Sequence, residues 1–297
     1  MVSLETIAFL IFDGFLLGAI YALFAIGLTL LVSVAQIVNS AHGELYMWSA
    51  MLLAIFWPIL GLFPSILIVI PLMFAIGGAI DVGIFQRLRK FVKPEETERM
   101  SIIVTIILSI ILLNLNIYYF VSGLGGGDYW KFVPPLISGK FVIFGFSLPY
   151  QRLASAVIAV FMIGMLYSFL RFTRMGKAIR AVAQDREAAM LMGVNINTVN
   201  RVTWGIAGVL SAVAGILISS LYVVNPFMGF IMLIKGFAVI IIGGLGSVWG
   251  SLIAAFGIAI AENLAGVVIS PVYKDSVAFF IMIAILLIKG RGLFAKT

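Results

Sequence analysis

The sequence predicts an all-α protein, specifically a polytopic helical membrane protein with eight or nine helices that span the bilayer or re-enter it. Hydrophobic residues make up 63% of its 297 residues and charged residues only 10%, far below the roughly 25% of soluble domains. The apolar runs approach the about 20 residues that a helix needs to cross a bilayer. They lack the short alternating strands of a membrane barrel. We therefore expect a single transmembrane domain over residues 1–297.

Nine apolar runs follow one another along the chain. They cover about residues 6–32, 45–60, 65–85, 101–121, 153–170, 203–223, 228–242, 248–269 and 277–288. Nine crossings are the first interpretation, but eight are almost as well supported. The run at 228–242 is short and the region around His42 is polar, so either could be re-entrant. No connection is long enough to bury a soluble core, so we expect no nucleotide-binding or catalytic module and no cofactor in this chain.

Basic residues predict the orientation. Fourteen of the 19 lysines and arginines fall in residues 86–99, 171–201 and 289–297. Because positively charged loops stay in the cytoplasm, we expect cytoplasmic loops at about 86–100 and 171–201, a cytoplasmic C-terminus and an N-terminus outside. The stretch 122–151, with its glycines, prolines and aromatic residues, is expected outside. The net charge of +7 therefore reflects topology, and no nucleic-acid partner is expected.

The loop at 171–201 carries the highest charge density between apolar runs and cannot lie in hydrocarbon. From Gly176 to Met192 its apolar residues recur on one side of one helix or of two short helices. Asp185 is placed to cap a second short helix, and Gly193 to end it. The segment is either an ordinary solvated or interfacial helix or a docking element for a soluble partner.

Polar residues within the apolar runs are costly in a membrane, so they are expected to face protein or water. Asp81 lies close to a basic loop and is predicted to form an interfacial salt bridge. Lys235, near the outer end of its run, is predicted to extend its amine to the membrane surface. Glu262 with Asn263 either holds two helices together or lines a pathway. The full set is Asp13, His42, Glu44, Asp81, Lys235, Glu262, Asn39, Asn114, Asn116 and Asn263.

The segment Asn39 to Glu44 places a glycine, a histidine and a carboxylate between two apolar runs. A helix that begins there would present free N–H groups to an anionic group such as a substrate carboxylate. His42 is the sole histidine and cysteine is absent, so no metal site is expected and a hydrogen-bonded histidine is the default. The glycine-rich segment Gly243 to Gly250 is either a close helix contact or a second break. The predicted substrate pathway comprises Asn39, His42, Gly43, Glu44, Gly243, Gly244, Gly246 and Ser247.

Several motifs carry a resemblance to a known family. They are Gly18 to Leu23, Gly27 to Leu30, Asn39 to Glu44, Gly176 to Gly193, Gly243 to Gly250 and Arg291 to Phe294. In this order, and over nearly the whole chain, they resemble the permease subunits of branched-chain amino acid importers of the ATP-binding cassette class, specifically the smaller, LivH-type subunit.

The resemblance implies a pore-forming half of an importer in the inner membrane of a prokaryote. Its implied partners are a second permease subunit, either a paralogue or a second copy, and two cytoplasmic ATPase subunits that bind ATP and Mg²⁺. An extracytoplasmic binding protein would deliver leucine, isoleucine or valine. The implied coupling element is 176–193, with Ala188, Ala189 and Gly193 seated in the ATPase. Its residues are Gly176, Arg180, Asp185, Ala188, Ala189 and Gly193.

The sequence leaves other functions open. Ser40 and Lys289–Gly290 depart from the family pattern, and related permeases carry urea, amides or other amino acids. An ion-coupled secondary transporter could use Asp13, Glu44 and Glu262. An intramembrane enzyme built on Ser40, His42 and Glu44 has poor geometry, because residues two apart do not face each other on a helix.

Overall fold

A computed structural model describes residues 4–92, 94–119, 129–143, 145–290 and 292–294. Three features singled out from the sequence fall partly outside these residues: the N-terminal end, the glycines at 122–128 and Arg291 of the C-terminal motif. Helices make up most of the described part, and its strands form one short hairpin, in which Lys140 pairs with Pro149. The predicted all-α class is confirmed.

The elements follow the apolar runs. The helices are α1 (Leu4–Leu30), α2 (His42–Leu60), α3 (Leu62–Ile80), α4 (Gln86–Phe91), α5 (Pro94–Asn116), α6 (Tyr150–Phe172), α7 (Arg174–Gln184), α8 (Arg186–Leu191), α9 (Ile196–Ser219), α10 (Met228–Gly243), α11 (Val248–Val268) and α12 (Val277–Ile288). The strands are β1 (Lys140–Ile143) and β2 (Phe146–Pro149). π-helical turns extend α1 over Leu31–Ala35 and α3 over Asp81–Phe85, and a 3₁₀ turn at Pro271–Ser276 precedes α12.

Among the described residues, eight helical segments are long and apolar enough to cross a membrane. The ninth run forms α10, whose 16 residues span only about 24 Å, less than the about 30 Å of a bilayer core. Nevertheless, α10 connects the two ends of the bundle. Val224, just before it, pairs with Lys131 of the predicted outer stretch, whereas Ile242 at its other end accepts a hydrogen bond from Leu293 of the C-terminal segment.

Helix α1 forms the centre of the bundle because it is apolar on all sides and almost completely buried from Leu16 to Leu30. It packs along α11, and small residues make the approach possible. A Cβ at Gly14 would lie 2.7 Å from the Cα of Ile260, and one at Gly18 would lie 2.9 Å from the Cα of Phe256. Such close backbone contact lets dispersion forces hold helices together where no water is displaced.

The three basic segments lie at one end of the bundle. Arg186 of α8 donates to the carbonyl of Val34 at the end of α1. Burial lowers the pKa of Arg186, with a smaller contribution from the nearby guanidinium of Arg89 in the first basic loop. Gly292 of the C-terminal segment contacts Gly244. This common location agrees with the predicted cytoplasmic loops and tail, while the side of the membrane on which they lie stays a prediction.

Candidate translocation path and coupling element

Helix α2 begins beside the middle of α1, and a helix break creates this arrangement. The π-helical turn of α1 ends at Gln36, which has a left-handed φ of +56°. The chain then turns back into the bundle. There the buried Asn39 side chain accepts a hydrogen bond from the backbone N–H of Ala41 at 3.0 Å. A short local turn, rather than a membrane-surface loop, therefore starts α2.

His42 joins three helices at this break. Its Nε2 atom lies 3.3 Å from the carbonyl oxygen of Phe24 in α1, and its own carbonyl accepts a hydrogen bond from Ser211 of α9 at 3.0 Å. The ring is fully buried and packs 4.7 Å from the Phe24 ring, centroid to centroid. The expected hydrogen-bonded histidine is confirmed.

Glu44 is buried two residues further along α2 and accepts a hydrogen bond from Ser109 of α5 at 3.0 Å. Its second oxygen, Oε2, has no hydrogen-bond partner among the described residues. Because His42 faces Phe24 and Glu44 faces Ser109, no described hydrogen bond joins Ser40, His42 and Glu44. Among the described residues, these three side chains therefore form no hydrogen-bonded triad of the kind that an intramembrane enzyme would need.

Gly43 is the point at which α2 and α10 cross. A Cβ at Gly43 would overlap the carbonyl oxygen of Gly229, and a Cβ at Gly229 would overlap the carbonyl of Gly43. The first turns of the two helices are thus in backbone contact deep in the bundle. Neither residue could carry a side chain without separating the helices.

The segment Gly243 to Ser247 forms a tight turn between α10 and α11, at the end of the bundle that holds the basic segments. Gly243 packs on the backbone of Gly250, and Gly244 and Gly246 have positive φ angles of 91° and 83°. Ser247 caps α11 by accepting from the N–H of Gly250. The close-packing interpretation therefore holds for Gly243 and Gly250, whereas Gly244 and Gly246 form the turn that interrupts the helix. Gly229, and not this segment, meets the break at Gly43.

Lys235 lies in the interior of the bundle, so the prediction that it reaches the membrane surface is wrong. Its ammonium donates to Tyr21 Oη at 2.9 Å and to Glu262 Oε2 at 2.8 Å, and it pairs with Asp275 Oδ1 at 2.7 Å. Tyr21 also donates to Glu262 at 3.0 Å. All three ammonium protons therefore have acceptors, which compensates for the hydration that the buried ammonium has lost.

A second set of pairs extends this network. Arg152 of α6 pairs with Asp13 of α1 at 2.8 Å. Asn263 of α11 donates to Asp13 and accepts from Lys274, at 2.8 and 3.0 Å. Of the two alternatives for Glu262 and Asn263, the structure shows the first, because both side chains join α11 to neighbouring elements. The network contains three cations, Arg152, Lys235 and Lys274, and three carboxylates, Asp13, Glu262 and Asp275, so its formal charges balance.

The predicted interfacial salt bridge of Asp81 is also confirmed. Arg89 of α4 pairs with the buried Asp81 carboxylate at 2.6 Å, and Gln86 donates to it at 2.9 Å. The sequence predicted a salt bridge here because Asp81 lies close to the basic loop, and the structure identifies Arg89 as its partner. Arg152, Lys274 and Asp275 were missed because their partners are distant in the sequence.

A partly open cavity of about 310 Å³ lies at the end of the bundle opposite the basic segments. Tyrosines from α1, α2 and the segment before α10 line it, Lys235 reaches it from α10, and Asp275 stands on the 3₁₀ turn. Its lining residues are Leu17, Tyr21, Tyr46, Ile218, Tyr222, Val223, Asn225, Met228, Ile231, Met232, Lys235, Lys274 and Asp275. No residue of the predicted pathway lines this cavity, although Tyr46 lies two residues beyond Glu44.

The loop between α6 and α9 consists of two short helices, as one of the two sequence interpretations predicted. Asp185 accepts hydrogen bonds from the N–H groups of Glu187 and Ala188, both at 3.0 Å, and so caps α8. Gly193 ends α8 with a φ of +81°. Both local predictions are confirmed.

The predicted coupling residues divide between two faces. Gly176 is buried against the backbone of Phe169 at the end of α6. Ala189 is buried in an apolar cluster that includes Val34. Arg180, Asp185, Ala188 and Gly193 are exposed. The apolar side chains of Leu191 and Met192 are 89% and 85% exposed beside them. Ala189 therefore packs within the permease chain itself.

Comparisons with known proteins agree with this architecture. Residues 10–286 match the family model described as branched-chain amino acid transport system / permease component. The chain is 32% identical to the high-affinity branched-chain amino acid transport permease LivH of Escherichia coli K12, covering 96% of this chain and 94% of the relative. It is 30% identical to BraD of Pseudomonas aeruginosa, over 96% and 94%. It is 28% identical to the probable LivH of Methanocaldococcus jannaschii, over 91% and 87%.

No solved structure matches this chain. The family match nevertheless covers nearly all of it, including α2, the α7–α8 loop and the turn before α11. The chain therefore belongs to the family of permease components of branched-chain amino acid transport systems, and it is a multi-pass transport subunit of the prokaryotic inner membrane rather than an enzyme.

Proposed function

We propose that this chain translocates leucine, isoleucine and valine as one permease subunit of an importer driven by ATP. One observation supports coupling to ATP: the α7–α8 loop has one buried face and one exposed face. One face packs on the permease through Ile179, Val182 and Ala189, and the other exposes Ala188, Leu191 and Met192. Exposed apolar side chains beside charged ones are typical of a surface that a protein partner covers.

Contacts run from this loop directly to the helix break. The buried face of α7–α8 contacts Val34 in the π-helical turn of α1, and Arg186 holds the carbonyl of the same residue at 3.3 Å. Gln36 and the break at Asn39 follow within a few residues. A rigid displacement of α8 by a closing ATPase dimer would therefore move the end of α1 together with α6 and α9.

The proposed partners follow from this arrangement and from the family. Two cytoplasmic ATPase subunits, with ATP and Mg²⁺, would dock on the exposed face of α7–α8. A second permease subunit, related or identical, would complete the pathway against faces otherwise covered by lipid. An extracytoplasmic binding protein would deliver the amino acid at the cavity end of the bundle. The proposed pathway through this chain passes the break at Asn39, His42, Gly43 and Glu44.

The test is co-purification of the tagged chain from native membranes in mild detergent. We expect an ATPase subunit and a second permease to accompany it, with ATP hydrolysis in the purified complex. The variant Ala188→Glu should lose most of the ATPase, because it places a charge on the docking face. Ala188→Ser at the same position adds no charge and should retain it.

Two outcomes would contradict the proposal. A complex of Ala188→Glu that assembles and takes up leucine normally would remove α8 from the docking surface. A chain that purifies without any ATPase, yet transports solute along an ion gradient, would replace the ATP-driven mechanism by ion coupling through the buried carboxylates.

A further inference from the structure

We propose that the cavity beside Lys235 binds the transported amino acid as a zwitterion, which inserts between Lys235 and Asp275. The inference rests on the proposed function, since it assumes that the solute is an α-amino acid. It adds a binding site within the permease itself, at residues outside the pathway predicted from the sequence.

Lys235 has two buried partners, Glu262 and Tyr21, and one exposed, exchangeable partner, Asp275. The Glu262 side chain is fully buried, and Tyr21 also donates to it. By contrast, the Asp275 side chain is 62% exposed and stands on a short 3₁₀ turn at the rim of the cavity. An ion pair with an exposed partner contributes little net stability. A carboxylate from a ligand can therefore replace Asp275 on Lys235 while the pair with Glu262 stays intact.

Asp275, once released, becomes the acceptor for the ligand ammonium. The carboxylate and ammonium of an α-amino acid sit on one carbon, so each can face its opposite charge once Lys235 and Asp275, which lie 2.7 Å apart here, have separated. One ion pair within the protein is replaced by two between protein and ligand, and the net charge of the network is unchanged. Lys274, which donates to Asn263 at 3.0 Å, also lines the cavity and adds positive charge on the side of the ligand carboxylate.

The rest of the cavity suits a small aliphatic side chain. Its apolar wall comes from Leu17, Ile218, Met228, Ile231 and Met232. Methionines adapt their shape readily, so isopropyl, isobutyl and sec-butyl groups can all be packed there. A volume of about 310 Å³ is at the lower end of the about 300–1,000 Å³ of ligand pockets. A solute without charges, such as urea, would have no means to separate Lys235 from Asp275.

The site also lies next to the helix break. Tyr46 lines the cavity, and its ring is 5.6 Å from that of Phe24, which in turn contacts His42. Phe24 is completely buried and packs against Gly236 of α10. A ligand in the cavity is thus connected to the break at Asn39–Glu44 through Tyr46 of α2 and Phe24 of α1. Helix α1 is also the helix whose far end the α7–α8 loop contacts.

The experiment uses the complete importer, reconstituted in vesicles with its ATPase subunits and binding protein. A diazirine analogue of leucine is delivered, the sample is irradiated, and labelled peptides are mapped by mass spectrometry. We expect label on Tyr46, Met228 or Met232 that unlabelled leucine displaces. Neither 4-methylpentanoate, which lacks the ammonium, nor isopentylamine, which lacks the carboxylate, should displace it.

Asp275→Asn tests the insertion without leaving a buried charge unpaired, because Lys235 keeps Glu262. It should raise the leucine concentration for half-maximal displacement by about tenfold or more, as expected for loss of a hydrogen bond between charged groups. Glu5→Gln removes an exposed carboxylate near the start of α1 and should leave this concentration unchanged.

The outcomes separate the inference from the proposed function. Label confined to other residues, or an unchanged value for Asp275→Asn, in an importer that takes up leucine would overturn the inference and leave the proposed function standing. An assembled wild-type importer that takes up no branched-chain amino acid would overturn both.

Discussion

Charged residues are buried and paired at one end of this permease and exposed to solvent at the other. At the cavity end, Lys235 and Asp13 are buried, and each pairs with opposite charges from neighbouring helices. At the other end, the α7–α8 loop leaves Arg180 and Asp185 exposed and buries apolar residues instead. Water solvates charges at a surface, whereas in a membrane interior only protein partners can compensate for the lost hydration. The stability of the cavity end is therefore expected to depend on charge pairing. The stability of the loop is expected to depend on helix caps and on apolar packing.

The largest expected effect comes from breaking the buried pair. Lys235→Met leaves the carboxylate of Glu262 without its cation, and we expect the free energy of unfolding to fall by about 3–5 kcal/mol. The double variant Lys235→Met/Glu262→Gln, which removes both charges, should recover most of the loss. Thermal unfolding in detergent measures both. Equal losses in the two variants would show that the pair does not determine stability at this end.

An intermediate effect is expected at the crossing of α2 and α10, which contains no charge. Gly43→Ala forces the Cβ against the carbonyl oxygen of Gly229, and overpacking of this kind costs about 1–3 kcal/mol. The matched control is Gly257→Ala in α11, where a Cβ has no neighbour within 4 Å. The midpoint of unfolding and the rate of leucine uptake should both decrease for Gly43→Ala alone. If the two variants behave alike, the helices can separate at Gly43 without cost.

The smallest effect is expected from removal of the Asp185 cap of α8. Asp185→Ala removes the two hydrogen bonds that cap α8, with an expected local cost of about 1 kcal/mol. Asp185→Asn retains an acceptor and should lose little. Hydrogen exchange of the α8 amides should be faster in the alanine variant, while global unfolding changes hardly at all. A large global effect would mean that the loop is as strongly coupled to the bundle as the buried network.

The sequence alone determined the helical membrane class, the position of the apolar runs and the internal order of the α7–α8 loop. These are local properties: a run of apolar residues, a period of 3.6, a cap at Asp185 and a glycine stop at Gly193. Each is encoded within a few neighbouring residues, and the structure follows it. The salt bridge of Asp81 belongs to the same class, because Arg89 is only two helical turns away.

Only the tertiary structure decided which distant residues meet. Lys235 looked like a residue at a membrane surface until α1 and α11 brought Tyr21 and Glu262 to it. The sequence assigned no partner to Gly43, because several glycine segments share the same composition and only the path of α10 selects Gly229. A buried charge, or a glycine without a side chain, needs a partner from another helix. The neighbouring sequence cannot specify that partner, because it depends on how helices far apart in the chain pack side by side.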